Sequence, residues 1–315
     1  MKKSLTLALL TISFFSLIFS SCGKSGAISG PVVTPTPTPT PTTSGTKNYY
    51  VSDGTGSDGN TGLSINVPFK TITAGVNAAV AGDTVFIMNG TYTSSFTLTK
   101  SGTTDKYITY KNYATHKPKI VISGAIWSSV KISGNYIVFE GIEMQGNNAN
   151  LTYAGALDAY NQYLATGVNN SVHAQYNTNA IDISTNNPHH IVIRNCAVHD
   201  FPGGGISGIG SDYLTLEGNI IYNNCWYMMY AGSGISILTP SNSDAADVNK
   251  YKNIIRNNIV YGNKCLIPWV STKALSDGNG IIIDVNQLTS NSAAYTGRTL
   301  VENNVSFNNG GGGVH

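Results

Sequence analysis

The chain of 315 residues carries 18 basic and 16 acidic side chains, a formal charge of +2, with charged residues making up only 11% of it. That balance supplies no basic patch for nucleic acid, and 34 glycines in so weakly charged a chain argue for β-structure with many turns rather than a helical bundle. Beyond Cys22, the cysteines Cys196, Cys225 and Cys265 are too widely spaced for a zinc motif or a dense disulfide framework.

The first predicted element is a signal peptide over residues 1–21. It joins Lys2 and Lys3 to an apolar run too short and too early for a membrane span. The signal ends at Cys22, and "FSSC" resembles a bacterial lipobox, whose cysteine is lipidated and becomes the first residue of the mature chain; the alternative is a plain signal with an incidental cysteine. Loss of Lys2 and Lys3 brings the 18 basic residues to parity with the 16 acidic ones. Residues 22–47 form the lipid anchor and linker, in which the alternating Pro and Thr of "PVVTPTPTPTPTTSGT" cannot bury a core and favour an extended rod. The expected location is the cell envelope, with the protein anchored to the outer membrane by lipid alone and facing the periplasm or the surface.

Residues 48–315 are expected to form one domain built on a repeat. "YIVFEGIEMQGNN", "HIVIRNCAVHDFP", "YLTLEGNIIYNNC", "NIIRNNIVYGNKC" and "TLVENNVSFNNGG" share a short alternating strand, a Gly or Asn bend and a second short strand. Asn195, Asn257 and Asn303 share a column with Gly141 and Gly218, and Asn219, Asn258 and Asn304 occupy the next. Asn and Gly tolerate positive φ, so one sharp bend recurs in every unit. A third strand follows in "NAIDIS", "GGISGI", "SGISIL", "NGIIID" and "GGGVH", which places Ile181, Ile206, Ile235, Ile281 and Val314 inward and Asp182, Ser207, Ser236, Ile282 and His315 outward. Three strands per turn describe a parallel β-helix, with equivalent residues of successive coils about 4.8 Å apart. A sandwich needs hairpins, and a propeller needs four strands per blade.

At its N-terminal end, "YYVSDGTGSDGNTGLSINVPFKTITAGVNAAVAGDTVFIMNGTY" contains a helix over Thr71 to Val80, with Ile72, Val76, Ala79 and Val80 on one face to cover the first coil. This stretch resembles the opening of right-handed parallel β-helix proteins of the pectin-lyase-like superfamily. "HDFPGGGI", "YAGSGISI" and "SDGNGIIID" resemble segments of bacterial lipoproteins known as right-handed parallel β-helix repeat proteins. The resemblance covers most of residues 49–315 and implies an all-β, right-handed parallel β-helix of three short strands per coil with a short N-terminal capping helix. It specifies a fold rather than a reaction. Calcium-dependent pectate lyases of this shape carry a tight aspartate cluster with a lysine base. Chondroitinase B and alginate lyases of this shape carry an arginine and lysine pattern. Neither is found in this sequence.

Loops leave the coil just before the third strand, in "VHDFPGGG", "NNCWYMMYAGSG", "NKCLIPWVSTKALSDGNG" and a longer one between Asn147 and Asn179. They carry His173, His199, Asp200, Trp226, Tyr227, Tyr230, Trp269, Lys273 and Asp277. Aromatic rings beside carboxylates and a histidine suit sugars, whose C–H faces stack while their hydroxyls seek polar groups; the alternative is that the rings only pack the loops onto the coil. His199, Asp200 and Asp277 are the candidate catalytic residues. Trp226, Tyr227, Tyr230, Trp269, Lys273 and Asp182 are candidate substrate contacts. Asp284 is read as a backbone cap, and His189 and His190 as structural. Asp53 and Asp58 in "SDGTGSDGN" form a candidate calcium loop, against the plainer reading of a turn whose side chains cap their own backbone.

The expected protein is an exported lipoprotein monomer that cleaves polysaccharide, as a lyase or glycoside hydrolase, in a loop-lined groove. The alternative is a non-catalytic, glycan-binding or adhesin-like β-helix. Cys225 and Cys265 are expected to stack on adjacent coils, close enough for a disulfide without requiring one. "VENNVSFNNGGGGVH" reads as a coil cut before completion, so the chain is expected to be a fragment or to have a poorly ordered end.

Overall fold

The computed structural model describes residues 47–244, 246–287 and 293–315. The signal peptide, Cys22 and the Pro/Thr linker lie outside the described residues. Alternation in each short segment sends every second side chain inward, and three parallel sheets result. The first sheet runs Asn48–Val51, Thr84–Ile87, Ile108–Asn112, Ile137–Glu140, His189–Arg194, Asp212–Glu217, Tyr251–Arg256 and Arg298–Glu302. The second runs Thr91–Tyr92, Lys119–Val121, Glu143–Gln145, Ala197–His199, Ile220–Tyr222, Ile259–Tyr261 and Val305–Phe307. The third runs Phe96–Leu98, Ser128–Ile132, Asn179–Ile183, Ile206–Ile209, Ile235–Leu238 and Ile281–Asp284.

The register follows the repeat. Phe139, Ile193, Leu216, Ile255 and Val301 pair in sequence across the first sheet. Ile181, Ile206, Ile235 and Ile281 do so across the third, and all four are fully buried. Val314 bridges to Ile281, yet it is 54% exposed rather than buried, because no further strand packs on it among the described residues.

The bends are made as the columns require. Asn195, Asn257 and Asn303 have φ of 55°, 57° and 54°. At Gly141, φ is 70° and a Cβ would lie 2.2 Å from Asn112 Oδ1, so the close approach of that carboxamide favours glycine here over the asparagine of those coils. The next column is a ladder: Asn219 N–H donates to Asn258 Oδ1 at 2.9 Å and Asn258 N–H donates to Asn304 Oδ1 at 3.0 Å. A second ladder, absent from the sequence reading, joins Asn224, Asn263 and Asn309 at the next corner.

The capping helix spans Ile72–Ala78, with the Thr71 hydroxyl accepting from Ala74 N–H. Ile72, Val76 and Ala79 are buried, but Val80 is 51% exposed: the helix has ended before it, so the helical spacing no longer sets its direction. The segment expected to be a long loop before Asn179 is instead helical over Tyr153–Thr166 and Ser171–Tyr176. Its stops are local. Thr152 caps the first helix, Gly167 ends it at φ 67°, and Asn170 forms a capping box with His173. Cys196, Cys225 and Cys265 are buried free thiols. No helix among the described residues is long and apolar enough to cross a membrane.

Candidate functional site

The outer face of the second sheet gathers the titratable side chains. Parallel pairing sets Lys119 beside Glu143 and Glu143 beside Ala197, while Gln145, His199 and Tyr222 form the neighbouring row. His199 Nδ1 lies 2.8 Å from Asp200 Oδ2 and its Nε2 lies 3.3 Å from Glu143 Oε1. Lys119 Nζ lies 2.8 Å from the same Glu143 oxygen. Asp200 can stand there because the strand ends at His199 and the next residue takes the left-handed bend, at φ 58°, as Asn223 does in the following coil at 56°.

The electrostatics follow the contacts. The hydrogen bond from His199 outweighs partial burial and holds the Asp200 carboxyl below its ordinary range. Partial burial pushes Glu143 up, but hydrogen bonds from Lys119 and His199 together prevail and hold it down. Two anions and one ammonium thus surround an imidazole that is 6% exposed. Among the described residues no other histidine forms an ion-pair contact with an acid. Such an array can hold a proton on either ring nitrogen and hand it over.

The structure brings His199 and Asp200 together, but Asp277 stands apart from them. Its charged neighbours are Asp284 and His315, and burial together with repulsion from Asp284 raises its carboxyl above the ordinary range despite His315. The Trp226 indole donates to Gly262 O at 3.0 Å and the Tyr227 hydroxyl to Leu151 O at 3.2 Å. Tyr227 and Tyr230 pack on a small separate core of Ala156, Tyr160, Met229 and Ile267, so these two rings join the loops to the Tyr153–Thr166 helix. Tyr230 also sits against Trp127, centroids 6.1 Å apart. Lys273 is exposed and its N–H donates to Trp269 O. Asp182 accepts from the Ser128 hydroxyl at 3.1 Å on the outer face of the third sheet. His173 is buried, with Nε2 against Ala159 O at 3.0 Å.

The acidic N-terminal loop does not fit calcium. Asp58 spends its carboxylate on Lys70 N–H, Thr71 N–H and the Thr71 hydroxyl, at 2.9, 2.8 and 2.9 Å. No group of three or more His, Cys, Asp or Glu side chains suited to a metal ion forms among the described residues. Asp284 accepts from Val285 N–H at 2.7 Å, and His189 and His190 lie in a strand with their Nδ1 atoms 2.8 Å apart.

The sequence reading missed Glu143 and Lys119. Projecting the second strand of "GIEMQG" outward would have exposed Glu143, and the row would then have led back to Lys119.

A solved pectate lyase, Pel9A, superimposes with a TM-score of 0.53 at 17% identity, over 84% of this chain and 64% of that one. A lacto-N-biosidase from Eubacterium ramulus follows at 0.47 and 18% identity, over 75% and 43% of the two chains. The uncharacterised protein YwoF of Bacillus subtilis (strain 168) is 39% identical over 80 residues, 25% of this chain and 16% of that one. This chain therefore spans less than two thirds of the length of each, and the structural likenesses are ones of fold. A family model for the Pel9A-like right-handed β-helix region matches residues 49–315, and the chain belongs to that family.

Proposed function

We propose that this β-helix binds and cleaves a uronate-containing polysaccharide by β-elimination, with the chemistry at His199. The observation that carries the reading is the His199 ring held at Nδ1 by Asp200 at 2.8 Å. With Nδ1–H donating to that carboxylate, Nε2 serves as the base once the proton it shares with Glu143 has left for solvent. The Nε2 contact to Glu143, at 3.3 Å, is longer than the 2.8 Å tie between Glu143 and Lys119, so Glu143 can stay with the ammonium as substrate takes its place. Nε2 then removes the proton from the sugar carbon next to the uronate carboxyl, the C–H electrons form the new C=C bond as the bond from the neighbouring carbon to the glycosidic oxygen breaks, and that oxygen takes a proton from solvent while the imidazolium returns its own to water. Lys119 Nζ, held by Glu143, has further N–H donors for the uronate carboxylate. Cys22 and the Pro/Thr linker support a further element of the proposal, that the domain is exported and displayed from a lipid anchor; Cys22→Ser then releases it from the membrane fraction.

One observation favours the rival reading, a glycan-binding β-helix without turnover: His199 is only 6% exposed. The test is a panel of neutral and uronate polysaccharides, scored for reducing ends and for the ultraviolet absorbance of unsaturated uronates. Absorbance with new ends is the expected result. New ends without absorbance indicate hydrolysis, and retention of polymer without products indicates a binder.

A further inference from the structure

We propose that the cleft around Lys117 is a saccharide subsite that takes a uronate residue, at a corner of the coil away from His199; that it serves the same polymer rests on the function proposed above. The strand Ile108–Asn112 ends at this corner and the chain turns back through residues 113–118, leaving an open cleft of about 640 Å³ whose lining includes Phe86, Lys111, Asn112, His116, Lys117 and Asn195. That volume lies within the range of small-ligand sites.

Its apolar wall is rigid. Phe86 stacks on Tyr50, centroids 5.5 Å apart at 23°, and Tyr113 braces it edge-on at 5.8 Å. Tyr50 and Lys111 flank Phe86 in the register, so the ring presents a fixed apolar edge against which the C–H groups of a sugar can pack at little cost in ordering.

Its polar wall is rich in donors. His116 Nδ1 accepts from Asn89 N–H at 2.9 Å, so the neutral ring carries its hydrogen on Nε2 as a donor. Lys111 and the one acid of the lining, Glu140, lie 3.5 Å apart, and Glu140 is further held from outside the cleft by Arg194 at 2.9 Å. Lys117 is exposed and forms no ion pair among the described residues. Positive charge is thus in excess over the single carboxylate. An apolar edge facing cations and N–H donors is complementary to a sugar acid, its ring against Phe86 and its carboxylate on Lys117. A neutral sugar leaves the charge unused.

The chain that lines the cleft runs on into the strand that carries Lys119. Only Pro118 separates Lys117 from Lys119, whose ammonium meets Glu143 at 2.8 Å.

The experiment is calorimetric titration of the full chain with tri-galacturonate, tri-mannuronate and the neutral maltotriose, on the wild type, Lys117→Glu, Lys117→Gln and His199→Ala. Expected are binding of a uronate trisaccharide but not maltotriose, an affinity lowered about tenfold or more by Lys117→Glu and less by Lys117→Gln, and binding kept in His199→Ala. Unchanged melting of the Lys117 variants shows that the exposed loop tolerates them. Equal affinity in wild type and Lys117→Glu, equal binding of maltotriose, or no binding of either uronate overturns the subsite. Turnover of polymer with KM unmoved by Lys117→Glu rejects the subsite while the function stands. Lys117-dependent binding without turnover by the wild type rejects the function while the subsite stands.

Discussion

His199 and Tyr222 lie face to face, ring centroids 4.7 Å apart and planes 5° from parallel. The stack continues through Tyr261 and Phe307, at 5.0 Å for each step, because parallel register repeats the same outward position in every coil. Ring faces are thereby taken up by other rings and only their edges reach outward. The stack braces the imidazole rather than offering a platform for sugar.

Tyr222→Ala therefore acts on both stability and site. Two ring contacts are lost, at a cost of about 2 kcal/mol, read from chemical denaturation. Turnover falls with kcat rather than KM, since His199 loses the ring that fixes its plane. Tyr222→Phe keeps the stack and leaves both measurements near wild type. Equal stability of Tyr222→Ala and wild type rejects the bracing role.

The two asparagine columns predict opposite sensitivities. Asn258 Oδ1 accepts from Asn219 N–H at 2.9 Å and Asn258 Nδ2 donates to Leu216 O at 2.9 Å, all within the buried coil. Asn258→Ala leaves both groups without that partner, a loss of about 3 kcal/mol. Asn257, one residue earlier, is exposed at φ 57°, a conformation glycine adopts freely. Asn257→Gly changes stability by less than about 1 kcal/mol. Urea midpoints decide; similar losses in both variants contradict the assignment of roles.

The same columns explain what was legible in advance. Period-two alternation and recurrent bends are local signals, so the pairing of Ile193 with Leu216 and of Ile206 with Ile235 could be read from spacing alone. The Tyr153–Thr166 helix was missed because its apolar residues form no clean stripe among Gly155, Asn161 and Gln162. At the site, His199 and Asp200 are adjacent in sequence, whereas Glu143 reaches His199 across 56 positions. That approach depends on how much chain each coil spends in loops. Asp277 shares with Asp200 its place in a loop before a third strand, and loop paths do not follow sequence position.

Asp58 gives a prediction in pH. Slight burial pushes its carboxyl up, but the Thr71 and Lys70 hydrogen bonds prevail and leave it below the ordinary value. A depressed folded value means that the ionised form is favoured by folding. The contribution is complete above about pH 4, the unfolded range, and disappears as pH falls through the folded value. Asp58→Ala should destabilise the domain by about 1 kcal/mol near neutrality, and the difference should close in acid. Excess calcium or a chelator should shift neither protein. A calcium-dependent rise in the wild-type midpoint that Asp58→Ala abolishes would restore the metal reading.

Asp277 and His199 separate the proposed chemistry from the other candidate carboxylate. Burial and Asp284 raise Asp277 in the folded protein, so between its unfolded and folded values the native state holds the extra proton. Stability then falls as pH rises through that window, and the ionised carboxylate is a net cost above it. Asp277→Asn removes the cost: its urea midpoint should match wild type below about pH 3 and exceed it near neutrality. Because no contact among the described residues joins Asp277 to the His199 array, turnover should stay within about threefold of wild type. His199→Ala, by contrast, removes the base and should lower kcat by about a hundredfold or more, with its fold verified by unchanged circular dichroism. Loss of turnover in Asp277→Asn together with wild-type rates in His199→Ala would move the chemistry to the loop end beside Asp284 and His315, and the elimination mechanism assigned to His199 would be wrong.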